Sequence, residues 1–255
     1  MNSVTTSLNW QWQAPLQQRY NYTFTEDSWL QELSEMRGEV LFDNGRRPLF
    51  KQSNGKFADP DVLDTYAYHL LAKSDDRIVG CVRVIPLISS PTSITESLLG
   101  RSALEHVLQE IGSHYSHTVE ASRWMVHPDF RGSRVSLGLA AGMMAIADHL
   151  NFKTMIAMAG THDGQDRYLM HMGLLPLPGI PLVKAPEFDD ELRIVHYDVS
   201  QPPNSLVRRW YSKMESLLKT QLSEDELNPV LLPQINMPFN KKVYQHNSSF
   251  EVGVF

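Results

Sequence analysis

The chain has 255 residues, of which 42% are hydrophobic and 20% charged, and a formal net charge of −6. That composition is ordinary for a globular protein in water, the length admits one large domain or two small ones, and the acidic balance argues against a general nucleic-acid binder. The single cysteine, Cys81, excludes an internal disulfide and a thiolate cluster for zinc.

Residues 1–24, rich in Gln, Asn, Ser and Thr, read as an irregular lead-in or as disorder, with Trp10 and Trp12 spaced as on one strand face. Asp27 or Ser28 caps a helix with apolar positions Trp29, Leu30, Leu33, Met36, Val40 and Leu41, stopped at Asp43-Asn44-Gly45. Arg46 to Pro60 is a polar loop, a candidate lid or crossing segment. Leu63 to Ala72 and Ile78 to Leu87 read as two strands of a hairpin turned at Lys73-Ser74-Asp75-Asp76. Ile94 to Ile111 is expected to be largely helical, with Gly100 inside it.

Val119 to Val126 is a strand ended by His127-Pro128, since proline donates nothing to a ladder and disfavours the α region before it. From Val135 a helix follows, with Leu137, Leu139, Ala140, Met143, Met144, Ile146 and Ala147 giving it a face to press on a sheet. Lys153 to Ala159 is a strand, parallel to its predecessor if that helix is a crossover. A helix over 163–172, a proline-punctuated connection over 176–182 and a final strand over 192–198 complete one mixed α/β domain. Ser205 to Leu222 is an amphipathic helix, and the tail to Phe255 has apolar anchors without periodicity, suited to packing on the domain or on a partner. The organisation expected is a lead-in over 1–24, a domain over 25–200 and an extension over 201–255. No apolar run reaches the roughly eighteen residues of a membrane span, and the first twenty or so residues lack the pattern of a secretory signal. The expected setting is the cytoplasm.

A strand, the basic turn Arg131-Gly132-Ser133-Arg134 and a helix N-terminus together make an anion site, because first-turn N–H groups are unpaired and the helix dipole favours negative charge. Arg83 and Arg123 stand in otherwise apolar strands, so a carboxylate partner is implied: Glu120, Asp64, Glu39 or a substrate carboxylate. Strict alternation puts Glu120, Ser122 and Trp124 on one face and Ala121, Arg123 and Met125 on the other. His127, His162 and His171 lack the spacing of a metal motif, and Cys81 has no neighbour that would activate a thiol. No metal is expected.

The sequence resembles the GNAT acyltransferase superfamily, and within it the acyl-homoserine-lactone synthases and N-acyl amino acid synthases. EASRWMV, Glu120 to Val126, is similar to the synthases' Glu-x-Ser-Arg-aromatic strand. GCVRVIPL, Gly80 to Leu87, is similar to their Gly-x-x-Arg-hydrophobic-x-Pro strand, with DTYAYHLL before it, and MRGEVLF, Met36 to Phe42, to their Arg-x-x-Val-Phe signature. The resemblance implies a GNAT-like, mostly antiparallel sheet with one splayed strand pair and flanking helices, here with a helical C-terminal extension. It also implies an acyl-phosphopantetheine donor, on acyl carrier protein or as acyl-coenzyme A, as cosubstrate rather than as a tightly bound cofactor. The pyrophosphate turn of that superfamily corresponds to Arg131-Gly132-Ser133-Arg134-Val135-Ser136, where Arg134 replaces a glycine and Ser136 the last small residue. The extra arginine suits the single phosphate and acidic surface of a carrier protein.

Acyl transfer to an amine needs a deprotonated nucleophile, a near-attack geometry and a donor for the oxyanion. By resemblance, Glu120 is the candidate base, against a structural ion pair with Arg83 or Arg123. The backbone N–H groups of Met125 and Val126 are candidate oxyanion and pantetheine donors, and Tyr168 is the candidate partner of the leaving thiolate, against a core tyrosine. Arg131, Gly132, Ser133, Arg134 and Ser136 are the candidate phosphate or carrier contacts. Arg83, Arg123 and Trp124 are assigned to the acceptor pocket, where the arginines would clamp the carboxylate of an amino acid acceptor. Met143, Met144, Met155, Met158, Met170 and Met172 would line an acyl tunnel or simply pack. Homoserine-lactone synthesis is the narrower alternative. The synthases' Arg-Leu-x-Trp run is absent here, with Asp43-Asn44-Gly45-Arg46 in its place. A noncatalytic acyl or carrier-protein binding module is the other alternative.

Overall fold

The computed structural model describes residues 8–16 and 28–227. Its first element, strand β1 (Leu8–Gln13), falls within the stretch read as an irregular lead-in, yet it pairs antiparallel along its whole length with a later strand, from Leu8 opposite Ser74 to Gln13 opposite His69. Trp10 and Trp12 share a face and are buried, as their spacing suggested. Asp27, one of the two expected caps, lies outside the described residues; helix α1 runs Ser28–Phe42. The stretch expected to open a strand at Leu63 instead forms a 3-10 turn over Val62–Tyr66, whose Leu63 amide is taken up by the side chain of Asp61. Strand β2 (Tyr68–Ser74) therefore starts five residues late. The hairpin to β3 (Arg77–Pro86) closes on Asp75 and Asp76, with φ of 48° and 64°. Those are the left-handed values that match a two-residue turn to the strand twist.

The expected helix over 94–111 is two helices, α2 (Ile94–Leu99) and α3 (Arg101–Glu110), divided by Gly100 at φ +79°. Glycine reaches that conformation without a Cβ penalty, and the break re-aims the chain. Strand β4 (Thr118–Val126) joins β3 antiparallel. Helix α4 (Val135–His149) then crosses over to β5 (Thr154–Gly160), which is parallel to β4. Helix α5 (Gln165–His171) and the short strands β6 (Leu175–Pro176) and β7 (Val183–Ala185) lead to β8 (Asp190–Asp198), antiparallel to β5. Among the described residues the sheet has eight strands, ordered β1-β2-β3-β4-β5-β8-β6, with β7 also on β8.

Helix α4 was expected to bury one face, but eleven of its residues are buried. The second face meets helix α6 (Ser205–Gln221), which lies over α4 and β1 and buries Val207, Met214 and Leu218. An apolar helix covered on both sides needs no polar stripe. A last short helix, α7 (Glu224–Leu227), receives the Tyr68 hydroxyl at the carbonyl of Glu226. Most of the tail to Phe255 lies outside the described residues. No helix among the described residues is long and apolar enough to cross a membrane.

Candidate active site

The site grows from two irregularities in β4. The first is its pairing with β5, which runs from Thr118 opposite Thr154 to Ala121 opposite Ala157 and goes no further. The two strands part beyond that point, so Ser122–Val126 stay with β3 while Met158–Gly160 stay with β8. The second is a bulge. Cys81 faces Met125 but Arg83 faces Ser122, so Arg123 and Trp124 share the place opposite Val82, and Arg123 takes φ +52°.

One extra residue resets the alternation of a strand. Strict alternation, which put Trp124 with Glu120 and Ser122 and sent Arg123 to the other face, is therefore corrected. Arg123 turns to the same acidic cluster as Arg83 and shares Asp61 with it, whereas Trp124 turns to α4 and donates its indole N–H to the carbonyl of Ser136 at 3.3 Å.

Behind β4 lies a buried network of three arginines and three aspartates. Asp64 accepts from Arg37 at 2.6 and 2.8 Å and from Arg83 at 2.9 Å. Arg83 also meets Asp61 at 2.8 Å and donates to the Ser122 hydroxyl at 3.0 Å. Arg123 meets Asp59 at 2.8 Å and Asp61 at 3.2 Å, and Arg37 meets Asp59 at 3.0 Å. Burial works to raise the Asp61 carboxyl, but Arg83 and Arg123 outweigh it and bring it down to about 2; the same contest leaves Asp64, between Arg37 and Arg83, lower still. His69, buried beside Asp64, is pushed down to about 4 by the loss of solvent and stays neutral at pH 7. Helix α1 reaches this network only because residue 38 is glycine: a Cβ there would stand 2.3 Å from the backbone nitrogen of Ala58.

Of the carboxylates expected to pair with Arg83 or Arg123, Asp64 does so. Glu39 does not; it lies 3.6 Å from His127. Glu120 does not either: it is fully buried, and its two oxygens accept the amides of Ile94 at 3.0 Å and Thr95 at 2.7 Å, the opening turn of α2. Sequence reasoning missed Arg37, Asp59 and Asp61. Their signal was the Asp-x-Asp-x-x-Asp spacing from 59 to 64 and a lone arginine beside the apolar positions Leu33 and Met36 of α1, both legible once two further buried arginines required partners.

The parted strands open a cavity of about 700 Å³. Arg123, Trp124, Met125, Val126, Arg131, Gly132, Ser136 and Tyr168 line it; Glu120, Arg83, Ser133 and Arg134 do not. The Trp124 and Tyr168 rings stack at 5.6 Å and 7°, with the Tyr168 hydroxyl 3.4 Å from that of Ser136. Gln165 spans the gap, accepting from the Gly160 amide and donating to the Trp124 carbonyl, both at 3.2 Å. Of the six methionines only Met143 and Met158 reach the cavity, beside Leu169 and Leu192; Met144, Met155 and Met172 are buried in the main core and Met170 packs against it. Arg131 and Arg134 are exposed on the turn before α4, where Ser133 accepts the Val135 amide at 3.2 Å. The remaining wall holds Asp43, Arg47, Asp163, Phe188 and Asp190, none of which the sequence had suggested as functional. Cys81 is buried, its thiol pushed up to about 12 by loss of solvent, and it donates to the Arg123 carbonyl. It is a packing residue at the bulge.

Residues 44–141 match the family described as an acetyltransferase (GNAT) domain. Over those residues the chain is similar to a GNAT domain. The fold around it is shared by solved structures of acyl-homoserine lactone synthases. BjaI, described as CoA-dependent and solved with MTA, is 16% identical, with 82% of this chain and 90% of that one covered and a TM-score of 0.56. LasI is 15% identical over 82% of this chain and 96% of its own, with a TM-score of 0.53. TofI, in a ternary complex with an inhibitor and MTA, is 15% identical over 81% and 99%, also at 0.53. No curated protein sequence matches the chain. The GNAT match takes in β2, β3, β4 and the turn before α4 but stops inside that helix, so Arg37, Gln165, Tyr168 and Asp190 lie outside it.

Proposed function

We propose that the protein is an N-acyltransferase that moves a fatty acyl group from a thioester of acyl carrier protein or coenzyme A to the amine of a small acceptor of the amino-acid type, in the cytoplasm. The observation that carries this reading is the gap between β4 and β5, which leads into a cavity with apolar, cationic and anionic walls. The acyl chain would lie against Met143, Met158 and Leu169. The pantetheine arm would follow the parted edge of β4, with the amides of Met125 and Val126 as candidate donors to it and to the oxyanion. Arg131 and Arg134, exposed at a helix N-terminus with Gly132 and Ser133 between them, suit a phosphate and an acidic carrier surface.

In the reaction the amine attacks the thioester carbonyl, the tetrahedral oxyanion collapses, and the C–S bond breaks. The thiolate takes a proton, for which the Tyr168 hydroxyl is the candidate source, and the new amide has lost one from nitrogen. Glu120 enters differently from the first expectation. Holding the opening amides of α2, it fixes Ile94 on the cavity wall, which makes it a positioning residue. The proton acceptor is then a carboxylate that lines the cavity, directly or through water, and Asp190 is the candidate.

The test is incubation of the purified protein with acyl-carrier-protein and acyl-coenzyme A thioesters of increasing chain length and pooled amino acids, followed by mass analysis. An N-acyl amino acid formed as the thioester is consumed supports the reading. Likeness to structures of homoserine-lactone synthases favours a second one, tested by a parallel incubation with S-adenosylmethionine: an acyl-homoserine lactone would replace the first reading. Donor retained without turnover would make the chain a binding module.

A further inference from the structure

We infer that Arg47 reads the carboxylate of the acceptor, with Asp190 facing its amine, so that the cavity selects a molecule bearing both charges. This rests on the acyl-transfer reading above and goes beyond it by naming the specificity residue.

The arginines first assigned to that clamp are already occupied. Arg83 is fully buried against Asp61 and Asp64 and lies off the cavity wall. Arg123 lines the cavity, but Asp59 and Asp61 hold it within 3.2 Å. Arg47 is different. It is half-buried on the wall, and its bonds go to backbone carbonyls: Nε to Phe188 and a terminal nitrogen to Leu41 at 3.4 Å. No carboxylate among the described residues forms an ion pair with it. Burial and the adjacent Arg46 lower its pKa from the ordinary arginine value, while Asp43, Asp190 and Asp163 pull the other way. A partly desolvated guanidinium without a paired anion is a place for one, and its planar fork suits a carboxylate.

The position is also braced. Arg46 bonds Asp43 at 3.0 Å and reaches His162 at 2.7 Å and Asp163 at 3.2 Å, tying this segment to the end of β5. On the same wall, one oxygen of Asp190 accepts the amides of Thr161, His162 and Glu191 at 3.1, 3.0 and 2.8 Å; its other oxygen takes no part in those bonds. An α-amino acid matches this pairing of charges, whereas a simple amine would leave Arg47 unanswered.

The experiment compares acylation of pooled amino acids with that of the same pool as carboxamides, using the long-chain thioester that the protein consumes. The wild-type chain should favour the acids at least about tenfold, the size expected when one charge-assisted contact is lost. Arg47→Gln keeps a donor for the Phe188 carbonyl but no charge. It should raise KM for the acids by about ten- to a hundredfold, leave the carboxamides unchanged and bring the ratio near one, with Arg47→Lys in between. Equal acylation of acids and carboxamides by the wild type, or a preference that survives Arg47→Gln in a folded variant, overturns the role of Arg47 alone. Acylation of neither pool overturns the acyl-transfer reading, and this inference with it.

Discussion

Replacing Asp64 by Asn removes one charge from a network that is buried from solvent. Asp64 holds two arginines at once, Arg37 at 2.6 and 2.8 Å and Arg83 at 2.9 Å, and both are fully buried. Asn keeps the volume and one acceptor but sets an NH2 group against a guanidinium. Breaking a buried pair by removing one partner costs about 3–5 kcal/mol, because the orphaned charge stays buried. With two cations affected we expect about 4 kcal/mol, a large share of the roughly 5–15 kcal/mol that holds a domain together. Urea unfolding followed by tryptophan fluorescence measures it: at a slope of about 2–3 kcal/mol/M the midpoint should fall by about 1.3–2 M. The control is Lys219→Gln, which breaks an exposed pair with Glu215 at 2.5 Å and should cost under about 1 kcal/mol. An Asp64→Asn midpoint no lower than that of the control would refute the claim that the network is a closed, desolvated unit.

Stability should fall with acid in two stages. His69, at about 4 in the folded state against 6.5 when free, binds its proton more readily once unfolded. Its contribution is therefore full above pH 6.5 and lost as pH drops toward 4. Asp61, at about 2 against 3.8, contributes fully above its unfolded value and loses that contribution as pH drops toward 2. Urea midpoints at pH 7.5, 5.5 and 4.5 should thus decline steadily, and a flat profile would mean that His69 is not buried neutral. Gly38→Ala should cost more than about 2 kcal/mol, because the new Cβ meets backbone and overpacking there cannot be relieved by a rotamer change; a smaller loss in the same titration would place α1 further from Ala58. Gln165→Leu should raise KM for the thioester about tenfold with little change in unfolding midpoint, since it removes the bridge across the parted strands rather than core packing; an unchanged KM would separate Gln165 from donor binding.

Where periodicity decides structure, the sequence was a good guide. Helix α4 was expected from Val135 with apolar positions through Ala147 and runs to His149, and α6 was expected over 205–222 and ends at Gln221. The hairpin turn at Asp75-Asp76 was legible because those residue types tolerate positive φ. The failures have a common origin in tertiary pairing. Residues 8–13 look polar and irregular because an edge strand shows only two tryptophans to the core, and β2 starts late because Asp61 and Asp64 are drawn into ion pairs with residues far along the chain. The site divides the same way. The turn 131–136 and the strand 120–126 announce themselves, but Arg47, Gln165 and Asp190 acquire meaning only when the parted strands bring three distant segments to one wall.

The bulge at Arg123 joins the two halves of the site, and that can be tested apart from ion pairing. The residue stands at φ +52°, a conformation that costs an L-residue about 1–2 kcal/mol and glycine almost nothing. Its side chain ties Asp59 and Asp61 on one face, while the reset alternation delivers Trp124 to the stack with Tyr168 on the other. Arg123→Gln and Arg123→Gly both lose the ion pairs, but only the first keeps the strained Cβ. In a regular strand glycine would be the worse substitute by about 0.5–1 kcal/mol. Here the order should reverse, with the Gly variant more stable than the Gln variant by about 1 kcal/mol in urea unfolding. The Gly variant should also keep more of the Trp124 environment in near-ultraviolet circular dichroism, because the backbone turn that aims the indole survives. If Gln proves the more stable, the left-handed bulge is not a fixed feature of β4, and the parting of β4 from β5 needs another cause.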